Sequence, residues 1–243
     1  MTESGIYAPV AAPSTYDHTL ERLGTAIRIG LLQPGERLPP ERELADQLGI
    51  SRSTLRQALA TLTGSGHMIA MRGRAGGTFV SDAPPVASTA PFPLEHSRAM
   101  LDWRMALELG TVQLAAERAT DAERHALANA AATHTNGEDW ATFRRWDAAF
   151  HVLLAEAAHS DRVVEATVCV QGEMSDLLSL FEPRPGGRGD VAEQHRLVAV
   201  AVADGDAEGA REAMRRHLEG TARLVDERLG QPQADLAVSV SNP

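Results

Sequence analysis

"PPERELADQLGISRSTLRQALATLTGSGHMIAMRGRAGGTFV", residues 39–80, decides how the first third of this chain folds. Pro40 suits the first position of a helix, where its missing N–H is no loss. Leu44 and Leu48, four residues apart, share one face of that helix. Gly49 permits a tight turn, and Ser51 can cap a second helix whose Leu55, Leu59 and Leu62 face inward. Helix, short glycine-containing turn and helix form a helix-turn-helix pattern. "HMIAMRGRAGGTFV" (67–80) then reads as a two-stranded wing: an apolar run, an Arg/Gly tip and a returning "TFV". Upstream, "HTLERLGTAIRIGLL" (18–32) predicts a further helix, ended by "QPGERL".

The polar residues of this module suit an anionic partner. Arg52, Ser53, Thr54 and Arg56 fall at the start of the second helix, the end that enters a major groove. An arginine can bond a guanine edge through two donors, and Ser or Thr hydroxyls can reach bases or phosphates. Arg72 and Arg74 flank Gly73 at the wing tip, where Gly76 and Gly77 let the backbone come close to a minor groove or to phosphates. A solvated arginine is the plain alternative for any one of them; the group, inside one motif, argues for DNA. A phosphate-binding glycine loop fits less well, because these glycines precede a strand and not a helix.

These residues resemble the winged-helix domain of the GntR family of bacterial transcription regulators. The resemblance is carried by "GERLPPERELADQLGISRSTLRQAL" and "RGRAGGTFV", and it implies that Arg42 touches DNA as well. "GHM" (66–68) departs from the family's usual glycine and two aliphatics, which bears on packing at His67.

Bulk properties agree with a soluble, two-part protein. The 243 residues can form one large domain or two modest ones, and 43% hydrophobic with 23% charged residues is ordinary for a globular chain. No run of apolar residues is long enough to span a membrane, and the first residues lack a secretory signal. Cys169 is the single cysteine, so no internal disulfide forms; it fits a reducing cytoplasm and a small buried position. Residues 18–81 hold eight Arg against five acids, whereas 83–243 hold 15 Arg against 25 acids. A basic module joined to an acidic one places the anionic partner on the first part only.

The expected organisation is a flexible tail (1–17), a winged helix-turn-helix domain (18–81), a Pro- and Ala-rich linker (82–97), an all-helical domain (98–229) and a disordered tail (230–243). The helical domain reads as six helices, over about 98–119, 121–133, 138–159, 161–182, 189–203 and 206–229, packed as an antiparallel bundle. The fold class is mainly α.

Inside that bundle, Phe143, Asp147, Phe150, His151, Leu154 and Ala158 lie on one helical stripe. An acid and an imidazole on an apolar stripe need partners. His195 shares the apolar face of Val191, Val198 and Val202, and His217 that of Ala210, Ala213, Met214 and Leu224. Each alone is more often a hydrogen-bonded core residue than a ligand. Together, from three facing helices, they suit a metal ion that neutralises the carboxylate and uses the imidazole lone pairs.

"D...H" on one helix, "EQHR.V..A...GD...A...M..HL" on the last two and "R...E" in "DWRMALELGTVQLAAERAT" resemble the FCD ligand-binding domain. That domain follows the winged helix in the FadR branch of the family, and six helices match its VanR-like subgroup. The resemblance implies that Asp147, His151, His195 and His217 are metal ligands. "AHSDR" (158–162) departs from the usual Gly-Asn, which affects that turn. Zn²⁺ and Ni²⁺ suit such a donor set best, then Mn²⁺ and Fe²⁺. Arg104 and Glu108 read as an intrahelical ion pair, or, by the resemblance, Arg104 holds an organic acid beside the metal. Apolar walls are expected from Leu101, Phe150, Leu154 and Val198.

The leading expectation is a cytoplasmic, metabolite-responsive transcription regulator, a repressor, acting as a homodimer. It would read an inverted-repeat operator in double-stranded DNA and respond to a small carboxylate effector. Two alternatives use the same residues: a metal-dependent hydrolase, for which no general base stands out, and a regulator that senses the metal itself.

Overall fold

The computed structural model of the chain describes residues 14–73, 76–85, 94–133, 139–180 and 187–229. Among them the elements run α1 (Thr15–Arg28), α2 (Glu41–Leu48), α3 (Arg52–Gly64), β1 (Met68–Met71), β2 (Gly77–Val80), α4 (Leu94–Arg118), α5 (Asp121–Ala132), α6 (Trp140–Ala157), α7 (Asp161–Leu178), α8 (Gly187–Ala203) and α9 (Ala207–Leu229). The mainly-α reading holds. The chain divides into two units, Met1–Ile27 with Leu32–Pro85, and Arg28–Leu31 with Val86–Pro243. The stretches 1–13, 86–93 and 230–243, which hold most of the expected first tail, half of the expected linker and all of the last tail, lie outside the described residues, and α1 begins at Thr15, inside the stretch read as flexible tail. α4 begins at Leu94, inside the stretch read as linker.

In the first unit the turn between α2 and α3 follows from three residues. Pro40 is the residue before the helix rather than its first member: its backbone is extended (φ −52°, ψ 139°), and its carbonyl accepts the N–H of Leu44 at 3.0 Å. Gly49 takes the left-handed conformation at φ 64°, which a side chain would resist. Ser51 caps α3, its Oγ accepting the Thr54 N–H at 3.1 Å. Leu23, Ile27, Leu38, Leu44, Leu55, Leu59, Leu62, Met68 and Val80 then form one core. Leu55 is fully enclosed, and its truncation to alanine should cost about 2–5 kcal/mol.

The wing is an antiparallel pair with Met68 opposite Val80 and Met71 opposite Gly77. Its tip is held by Arg37, a residue to which the sequence drew no attention. The Arg37 Nη2 donates to the Gly76 carbonyl at 2.6 Å, and the guanidinium lies 5.9 Å from the Phe79 ring centroid. Gly76 must be small, since a Cβ there would lie 2.5 Å from the Met71 carbonyl oxygen.

In the second unit α4 contacts α6, α7, α8 and α9, so it is lined by packing residues on more than one side. Val112, Ala115, Leu127, Phe150, Leu154, Val198, Val202, Ala210, Met214 and Leu218 belong to one core, and Met100, Val170, Met174, Leu177 and Val225 to a second. Leu101 packs against the second and not with Phe150, Leu154 and Val198, because its position on α4 turns it away from them. Two helix starts of this unit are capped by side chains: Thr120 and Glu123 form a reciprocal capping box on α5, and Asp139 accepts the Thr142 N–H at 2.8 Å on α6. His159 occupies the turn after α6 at φ 50°, with Nε2 at 3.0 Å from the Glu123 carboxylate. Cys169 is exposed on α7, not buried as expected, because the helix turns that position away from Val170 and the core. Among the described residues no helix is long and apolar enough to cross a membrane.

Candidate functional site

Packing the stripes of α6, α8 and α9 together buries four polar residues at one point. Asp147, His151, His195 and His217 each offer an oxygen or nitrogen, and these four atoms all lie within 4.8 Å of one another. His151, His195 and His217 are at most 1% exposed and Asp147 7%. Such burial is costly for polar atoms without partners, so each contact in the cluster matters.

The distances suit a cation. Two ligand atoms at about 2.1 Å from an ion, at right-angled to tetrahedral spacing, lie about 3.0–3.4 Å apart. His151 Nε2 and His217 Nε2 are 3.2 Å apart, and His195 Nε2 is 3.4 Å from Asp147 Oδ1. The His195 ring stacks on Phe150 with centroids 4.1 Å apart and an interplanar angle of 14°, while Trp146 lies 4.8 Å away. These aromatic neighbours fix the plane of that imidazole.

A surrounding layer of polar side chains fixes the other two rings. Glu108 on α4 places Oε2 2.7 Å from His151 Nδ1. Its Oε1 accepts from Arg104 Nε at 3.0 Å and from Gln171 Nε2 on α7 at 2.7 Å. Burial is the largest influence on Glu108 and would raise its pKa, but Arg104 and His151 together outweigh it and hold the carboxyl down to about 2. An ionised carboxylate only accepts, so His151 carries its proton on Nδ1 and directs the Nε2 lone pair at the cluster. Gln194 presents its amide oxygen to His217 Nδ1 at 3.1 Å, which does the same for His217. Burial above all, and with it the positive Arg104 guanidinium, pushes His217 well below the ordinary histidine range and keeps it neutral.

Arg104 completes the arrangement. The intrahelical pair with Glu108 forms as expected, and the guanidinium reaches further: its Nη2 lies 3.1 Å from His151 Nε2 and 3.4 Å from His217 Nε2. The sequence pointed to Asp147, His151, His195, His217 and Arg104. It read Glu108 only as the partner of Arg104 and did not single out Gln171 or Gln194. Gln194 precedes His195 directly, and that adjacency was the one available signal.

In the first unit, Arg42, Arg52, Ser53 and Arg56 are exposed on α2 and α3, and Thr54 is half-buried. Arg72 and Gly73 are exposed at the wing; Arg74 lies outside the described residues. The hydroxyls of Ser53 and Thr54 each sit 2.8 Å from Ser51 Oγ, so they help to build the cap of α3. Arg56 Nε lies 2.6 Å from Glu41 Oε2, an ion pair between α3 and α2. Arg42 lies in the first turn of α2, and Arg52 is the first residue of α3.

Comparison with known families decides what this combination is. Residues 15–80 match the model of the bacterial regulatory proteins of the gntR family, and residues 99–220 match that of the FCD domain. The chain belongs to the GntR family, with an FCD domain. This GntR regulator is 32% identical over 216 residues to a regulatory protein assigned to the L-lactate dehydrogenase operon of Escherichia coli (strain K12), covering 83% of each chain. It is 27% identical over 208 residues to the HTH-type transcriptional regulator LutR of Bacillus subtilis (strain 168), covering 79% of this chain and 92% of LutR. With the candidate HTH-type regulator RmpR of Mycobacterium gastri, the identity is 34% over 177 residues, and the match spans 70% of this chain but only 65% of that relative. Among solved structures, E. coli McbR/YncC shares the fold with a TM-score of 0.55 at 22% identity, over 90% of this chain and all of that one. These families and relatives are transcriptional regulators, not enzymes, which sets aside the hydrolase alternative.

Proposed function

We propose that this GntR regulator is a metabolite-responsive repressor, acting as a cytoplasmic homodimer on an inverted-repeat operator. Arg52 and Arg56 would read base edges, Arg42, Ser53 and Thr54 would help to seat α3 in the major groove, and Arg72, Gly73 and Arg74 would approach the adjacent backbone or minor groove. What supports this reading is that Arg52, Ser53, Thr54 and Arg56 lie in the first turns of α3, Arg42 on α2 and Arg72 and Gly73 just after β1, in a chain matching the bacterial regulatory proteins of the gntR family.

The helical domain would hold one divalent ion on Asp147, His151, His195 and His217, and a small organic acid beside it. The observation that carries this reading is the buried cluster itself, three imidazoles and a carboxylate with their ligand atoms within 4.8 Å. Zn²⁺ and Ni²⁺ match the donor set best, ahead of Mn²⁺ and Fe²⁺. When bound, such an ion supplies positions for the oxygens of a carboxylate. The chain's own residues do the rest: Glu108 and Gln194 hold the imidazoles in one tautomer, Phe150 and Trp146 hold the His195 ring, and Arg104 offers its guanidinium to the acid.

The test has two stages. DNA bound by the protein is selected from random oligonucleotides, and an inverted repeat should emerge. A panel of small mono- and dicarboxylates is then screened for release of that DNA, since an effector must bind one DNA-linked state better than the other. A protein that selects no sequence, or whose DNA binding responds only to uncharged compounds, would contradict the proposal.

A further inference from the structure

Arg104 occupies the same two imidazole nitrogens that, on the proposed metal site, a cation would need. An arginine is a donor at every nitrogen and stays charged in proteins. Its Nη2 is 3.1 Å from His151 Nε2 and 3.4 Å from His217 Nε2, the two atoms that Glu108 and Gln194 turn toward the cluster as lone pairs. Two such lone pairs facing each other at 3.2 Å repel unless something positive lies against both. Arg104 supplies it.

We infer that Arg104 is a built-in competitor for the metal, and that a carboxylate anion is what converts it into a partner. Arg104 has to give up both imidazole acceptors before either nitrogen can bind a cation. Afterwards its guanidinium still adjoins the cluster, because Nε remains tied to Glu108 at 3.0 Å within a residue only 2% exposed. Like charges at such range in a buried setting oppose each other strongly. Asp147 brings one negative charge to the cluster and Glu108 is already engaged with Arg104, His151 and Gln171. A carboxylate with one oxygen toward the cation and the other accepting from the released Nη2 removes the conflict. Metal and acid therefore fill the site together: each raises the affinity of the other by the same factor. The device would make occupancy report on the acid even where the metal is held at a steady level.

The experiment uses the full-length protein, freed of metal, with Zn²⁺ titrated against a competing chromophoric chelator in carboxylate-free buffer, with and without excess acetate. The wild type should bind Zn²⁺ at least about tenfold more tightly with acetate. Arg104→Gln, which removes the charge and ends short of the two imidazoles, should bind Zn²⁺ more tightly than the wild type in the absence of acetate and lose the acetate effect. The wild-type comparison stands by itself should the variant fold poorly. A wild-type affinity indifferent to acetate, or an Arg104→Gln protein that binds Zn²⁺ no more tightly than the wild type, overturns the inference. Equal Zn²⁺ binding by wild type and His195→Ala/His217→Ala would instead overturn the metal site on which it rests.

Discussion

The two units of this protein use polar side chains in opposite ways. In the winged unit, Arg42, Arg52, Arg56 and Arg72 are exposed, and no charged residue is buried among the described residues of its core. In the helical unit, Arg104, Glu108, Asp147, His151, Gln171, His195 and His217 are all buried, and each contact serves a neighbour's orientation. Function and stability are thus separable in the first unit and fused in the second. Substitution of a surface arginine such as Arg52 should cost binding with little loss of stability, whereas substitution in the buried cluster should cost folding as well.

The largest effect should come from Glu108→Ala. It leaves the Arg104 charge buried with no carboxylate, and loss of one partner of a buried pair costs about 3–5 kcal/mol. Chemical denaturation should report that loss in the helical unit. A change below about 1 kcal/mol would mean that Arg104 finds water or another anion, and would undo the contrast between the units.

Arg52→Ala and Arg56→Ala should each weaken operator binding by about 1–3 kcal/mol and relax selectivity at one base pair. Thermal unfolding should be unaffected by Arg52→Ala. Arg56→Ala loses an exposed ion pair with Glu41 as well, and such pairs contribute at most about 1 kcal/mol. A marked fall in melting temperature for Arg52→Ala would show that this face also stabilises the fold.

Arg72→Ala should have the smallest effect, a near-uniform weakening across DNA sequences with a salt dependence shallower by about one ion. Anisotropy titrations over a range of salt concentrations measure it. A loss confined to one sequence would make Arg72 a base reader and not a phosphate contact.

The same contrast explains what was legible in the sequence. Spacing along a single helix is written in the chain, so the stripes of Asp147 with His151 and of His195 with Val198 and Val202 could be read directly. Which face of one helix meets which neighbour is not written there. Glu108 was visible as a partner four residues from Arg104, yet its reach to His151 depends on how α4 packs against α6. Gln194 and His195 are adjacent but diverge by about 100° around α8, so that Gln194 meets His217 while His195 meets Asp147. Cys169 fails for the same reason: in so apolar a helix, one residue of rotation separates the core from solvent. In the winged unit a long-range contact was likewise missed, Arg37 beneath the wing tip, because 39 residues separate it from Gly76.

Metal analysis of the purified protein tests the account at its centre. Protein prepared without chelator should carry about one divalent ion per chain and lose thermal stability when a chelator removes it, by roughly 4 kcal/mol where the free ion had stood at a thousand times its Kd. His195→Ala/His217→Ala should carry none and show no response to the chelator. Equal metal content in the wild type and the double variant, or a wild type whose stability ignores the chelator, would contradict the account.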